Sequence, residues 1–182
     1  LTAGDNWYPG NTVTFQDGYF ILDRSDTNQF FISNINSTTF TATDFASVNG
    51  DTSDIIAVIS DHRELWLFTS FAVEIWYNSG NADFTFERMQ GAFIEKGCTA
   101  SGTVVKEDNG VFWLGDDNII YRANDFNPKR ISTHALEYDI KDGILSDAIS
   151  YTYSDEGHIF YQITFPTQKK TWAYDMSTQL WH

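Results

Sequence analysis

The run Asp61-His62-Arg63-Glu64 sets an imidazole among carboxylates, the grouping from which a general base and its orienting acid are built. The same residues lie between two apolar stretches, Ile55-Ile56-Ala57-Val58-Ile59 and Leu65-Trp66-Leu67-Phe68, where a charged hairpin connection is needed in any case. His134 and His158 stand far from any nucleophile on a recognisable elbow, so a hydrolase triad has no local support, and His182 is the last residue. Gly115-Asp116-Asp117-Asn118 and Ser154-Asp155-Glu156 gather oxygen ligands. Neither completes the spacing of a calcium loop, with its central Gly and closing bidentate Glu, so both read as solvated turns. Asn36-Ser37-Thr38 spells a glycosylation sequon, but no secretory leader precedes it. No catalytic residue, cofactor or metal ligand is expected.

The competing chemistry is carbohydrate cleavage. Asp108-Asn109-Gly110-Val111-Phe112-Trp113 has the Asp-x-Gly-x-x-Trp spacing of the box on sialidase-like blades, and Ser154-Asp155-Glu156-Gly157 is a looser echo. In that box the carboxylate caps turn amides and the Trp packs into the blade, so it reports fold more than reaction. A sialidase-like site also needs clustered arginines and a Tyr nucleophile paired with an acid. Arg24, Arg63, Arg88, Arg122 and Arg130 share no repeat position. A sialidase-like glycoside hydrolase or carbohydrate-binding propeller therefore stands as the alternative.

The elements that would carry these residues are strands. Short aromatic and β-branched runs bounded by Gly, Asn and Asp recur throughout, predicting strands over 19–23, 29–33, 55–60, 65–69, 73–77, 86–89, 111–115, 119–123, 148–153, 159–164 and 171–174. Asp17-Gly18, Asn109-Gly110 and Glu156-Gly157 suit tight hairpin turns. A helical turn is expected at 43–46 and irregular chain over 140–146. Gly18-Tyr19-Phe20-Ile21-Leu22, Glu64-Leu65-Trp66-Leu67-Phe68, Gly110-Val111-Phe112-Trp113-Leu114 and Gly157-His158-Ile159-Phe160-Tyr161 align at spacings of 46 to 47 residues. A second aromatic strand follows each: Phe30-Phe31-Ile32, Ile75-Trp76-Tyr77, Ile119-Ile120-Tyr121 and Trp172-Ala173-Tyr174. That period is the length of one four-stranded propeller blade, which buries its aromatics by stacking on a neighbour. The fold class is all-β and β-propeller-like, with about four four-stranded antiparallel blades. Residues 1–182 form a single domain, and Trp66, Phe112 and Phe160 are expected at equivalent, largely buried positions.

Composition limits the partners. The 25 acidic residues against 11 basic ones give a net charge of −14, which lacks the cations that neutralise phosphates and release counterions. Duplex DNA is repelled; it can slide past such a surface without adhering. The lone Cys98 excludes an internal disulfide and reads as a small buried hydrophobe. No apolar run reaches the roughly 20 residues that cross a bilayer. With neither an initiator Met nor a leader at Leu1, the sequence reads as an internal portion of a longer chain, an arc whose blade edges and faces are expected to be covered by the missing blades or by neighbouring subunits.

Several ordered runs resemble one family. Asp61-His62-Arg63-Glu64-Leu65-Trp66-Leu67-Phe68, Glu74-Ile75-Trp76-Tyr77-Asn78-Ser79-Gly80, Gly91-Ala92-Phe93-Ile94-Glu95-Lys96-Gly97-Cys98 and Arg130-Ile131-Ser132-Thr133-His134-Ala135 are similar to stretches of the packaged-DNA stabilisation proteins of short-tailed bacteriophages, also called tail accessory factors or tail hub proteins. Thr164-Phe165-Pro166-Thr167, Thr171-Trp172-Ala173-Tyr174-Asp175 and Leu180-Trp181-His182 extend the likeness to the end, whereas residues 1–17 and 138–146 show no family pattern. The resemblance implies a structural virion protein, made in the host cytoplasm and joined to the tail beneath the portal and its adaptor ring. There it stabilises packaged DNA, extends and helps close the channel, and receives distal tail parts. It implies phage tail and portal-adaptor partners, a cyclic homo-oligomer, passage of DNA without specific binding, and no catalytic residues.

Overall fold

Tight turns, not long-range pairings, organise the backbone. In the computed structural model, which describes residues 7–182, each of four hairpins closes on two residues that both have positive φ: Asp17 (50°) and Gly18 (91°), His62 (46°) and Arg63 (65°), Asp108 (48°) and Asn109 (55°), and Glu156 (46°) and Gly157 (86°). Left-handed φ at both positions matches the right-handed twist of the flanking strands, which makes it the preferred two-residue hairpin geometry.

From these turns the chain builds four antiparallel sheets, each in plain sequence order. The first contains β1 (Val13–Gln16), β2 (Tyr19–Asp23), β3 (Gln29–Ser33) and β4 (Phe40–Ser47); the second, β5 (Ile55–Asp61), β6 (Glu64–Thr69), β7 (Val73–Asn78) and β8 (Phe86–Ile94). The third contains β9 (Val105–Glu107), β10 (Gly110–Leu114), β11 (Ile120–Asn124) and β12 (Asn127–Arg130); the fourth, β13 (Ile149–Asp155), β14 (His158–Phe165), β15 (Lys170–Asp175) and β16 (Leu180–Trp181). The all-β, blade-like reading is thus the observed one. Residues 43–46 are strand and not a helical turn: Ser47, Ala46 and Phe45 pair with Gln29, Phe30 and Phe31, and the ladder outweighs local preference. One helix, α1 (His134–Ile140), was not expected; Thr133 caps it, its side chain accepting from the Leu136 amide, and Leu136 and Ile140 are its buried face. Residues 141–147 follow as turns.

The chain divides into two compact units, Leu1–Gly97 with the first two sheets and Cys98–His182 with the last two. In unit 1, Ile21, Phe30 and Ile32 of the first sheet pack on Val58, Leu65, Leu67 and Trp76 of the second, with Phe30 edge-on to Trp76 at 5.0 Å. The inner strands are also clasped by polar groups. The hydroxyls of Thr12 and Thr14 accept from the amides of Val58 and Ser60, both at 2.9 Å, and Gln16 Nε2 donates to the Arg63 carbonyl at 2.6 Å. In unit 2, Phe112, Leu114 and Ile120 of the third sheet pack on Tyr161, Ile163 and Phe165 of the fourth, and Leu136, Ile140 and Leu145 close the same cluster. Phe112 stacks on Tyr161 at 4.9 Å.

The turns fix the true register of the repeat. The residues just after them, Tyr19, Glu64, Gly110 and His158, are equivalent, because they pair with Gln16, Asp61, Glu107 and Asp155 respectively. Gly18 and Gly157 therefore sit in their turns, one place before Glu64 and Gly110. Two positions on, Ile21, Trp66, Phe112 and Phe160 share one face of their sheets. The first three are buried (0%, 2% and 0% exposed), but Phe160 is only half-buried, contrary to expectation. Its ring lies on the face of the fourth sheet opposite Tyr161, away from the packed cluster of unit 2.

Candidate functional site

The residues singled out for chemistry are engaged locally. His62 and Arg63 form the β5–β6 turn, with His62 Nδ1 2.9 Å from Asp61 and Arg63 3.2 Å from Asp17. His134 opens α1, exposed, 2.8 Å from Arg130, which also pairs with Glu137. Asp108 lies 2.8 Å from Arg122, and His158 2.8 Å from Asp175. His182 closes the β15–β16 ladder through its backbone, donating to the Ala173 carbonyl at 2.8 Å. His62 and Glu64 thus belong to unit 1, Asp108 and His134 to unit 2, and each is tied into its own hairpin or helix.

The box-like stretch Asp108–Trp113 is a β9–β10 hairpin. Its carboxylate forms an ion pair with Arg122 across the sheet, while Trp113 is buried and stacked on Tyr121 at 5.5 Å. The arginines are taken up separately. Arg24 lies over the Tyr8 ring at 4.1 Å, Arg63 pairs with Asp17, Arg88 with Glu74, Arg122 with Asp108 and Arg130 with Glu137. In the two acidic loops, Asp117 accepts from Tyr121 Oη at 2.6 Å, and Asp155 and Glu156 stand in an exposed turn. Among the described residues no group of three or more His, Cys, Asp or Glu could hold a metal. Asn36-Ser37-Thr38 is the exposed turn between β3 and β4, where Asn36 has φ 53°. No helix among the described residues is long and apolar enough to cross a membrane.

The carboxylates that matter most to the architecture went unnoticed in the sequence. Asp23, fully buried, accepts from the amides of Asn11 (3.0 Å) and Thr12 (2.6 Å), tying the segment before β1 to the end of β2. Glu74 accepts from the amides of Asn49 and Gly50 and from Trp76 Nε1, holding the inter-sheet loop of unit 1. Asp175 is held down to about 2: burial pushes its carboxyl up, and hydrogen bonds from Thr178, Ser177 and His158 outweigh that push. Burial drives the Cys98 thiol the other way, up to about 12. A cleft of about 510 Å³ in unit 1 is lined by Asp17, Asp44, Asp83, Asn34, Asn78 and Asn81, and its lining contains no Lys, Arg, His or Cys.

Each unit also has large apolar side chains exposed on one of its sheets. On the first sheet, Val13 is 60% and Phe15 55% exposed, next to an apolar groove of about 220 Å³ between Trp7, Phe20, Leu22 and Phe40. On the fourth, Tyr151 is 52% and Tyr153 37% exposed, and Tyr153 stacks on Phe160 at 5.0 Å. Their burial depends on what lies next to the sheet, so residue type alone does not distinguish them from packed aromatics.

Comparison with known proteins agrees with this geometry. The computationally designed Ika4 protein aligns with a TM-score of 0.54 at 12% identity, over 92% of this chain and 91% of that one. The designed Ika8 protein gives 0.50 at 12% identity, over 93% of this chain and 46% of that one. BamB from Moraxella catarrhalis gives 0.52 at 9% identity, over 96% and 49%. The chain thus spans about half the length of the latter two, and at these identities the likeness concerns the fold. No curated protein matches the sequence. A family model described as bacteriophage P22 Gp10, beta-propeller, matches residues 5–182, and the chain belongs to that phage-stabilisation family.

Proposed function

We propose that this protein works in the phage tail as a non-catalytic building block, acting through assembly. Residues 1–182 serve as one propeller-type domain that joins beneath the portal and adaptor ring after packaging. There it stabilises packaged DNA, extends and helps close the channel, and receives distal tail parts as a cyclic homo-oligomer. The family match over nearly the whole chain carries this reading. The net charge of −14 favours a conduit that DNA passes without adhering. The local pairing of His62, Asp108, His134 and His158 favours a structural role for them over a reaction.

Phage particles assembled without this protein provide the test. They are expected to fill with DNA and then lose it, and to lack the distal tail under the electron microscope. Particles that keep both DNA and distal tail in its absence would overturn the reading.

A further inference from the structure

We draw no further inference here: the strongest candidate, the cleft of about 510 Å³ in unit 1 lined by Asp17, Asp44 and Asp83, rests on an acidic cluster alone, since the Asn34, Asn78 and Asn81 side chains beside it already hydrogen-bond within their own turns and nothing in the structure points to a ligand.

Discussion

Phe112 and Phe160 occupy the same position of their repeats, and truncating each isolates the effect of sheet stacking. Phe112 is fully buried, stacks on Tyr161 at 4.9 Å, and has the Arg122 guanidinium 5.3 Å from its ring centroid. Phe112→Ala removes a buried ring, leaves a cavity that the paired strands cannot close, and breaks the stack. The expected cost is about 4 kcal/mol. With a urea dependence of about 2 kcal/mol per molar for a domain of this size, the midpoint falls by about 2 M. Phe160→Ala removes a half-buried ring whose described stack is with Tyr153 and His158, and should cost about 1 kcal/mol, or about 0.5 M. Urea titrations followed by tryptophan fluorescence and far-UV circular dichroism report the midpoints. Equal losses at the two positions, or a Phe112→Ala loss below about 1 kcal/mol, would refute the assignment of packed and open faces.

Two further outcomes follow from titratable groups. Asp175 has a folded-state pKa depressed from the ordinary 3.8 to about 2, so its hydrogen bonds contribute stability that is complete above the unfolded value and lost as pH falls from about 4 towards 2. Asp175→Asn should flatten the fall of the urea midpoint across that window, and an unchanged pH profile would show that the carboxylate does not anchor the β15–β16 turn. Cys98, buried and pushed up to about 12, should resist a thiol reagent at about pH 8 until denaturant is added. Stoichiometric labelling of the folded protein would contradict its placement.

Strands that carry their own signal were legible. The bounds of β2 and β3 match those read from the aromatic runs, because a short continuous run of large apolar residues between turn residues specifies a strand buried on both faces. Edge strands were not: Asn127-Pro128-Lys129-Arg130 has no strand preference and pairs because the Asp125-Phe126 turn, positive in φ at both residues, folds it back on β11. The helix had a readable signal in Thr133 followed by the i, i+4 pair Leu136 and Ile140, which the surrounding strand pattern masked. Phe160 marks the limit of local reading. Its type and spacing match Phe112, and only the sheet next to it determines whether it is core or surface. The anchoring roles of Asp23, Glu74 and Asp175 were hidden likewise, since their amide partners are brought close by the fold.

Each sheet is a meander in strict chain order, so every backbone ladder is completed by one uninterrupted stretch of sequence. Each module can therefore close its hydrogen bonds as it leaves the ribosome, before the next has been translated, with side-chain stacking left as the later step. The same contiguity makes the sheet a natural unit of gene duplication. A whole repeat can be gained or lost at residues 48–54, 95–104 or 131–148 without cutting a ladder, and the selective cost falls on how well the newly adjacent faces fit.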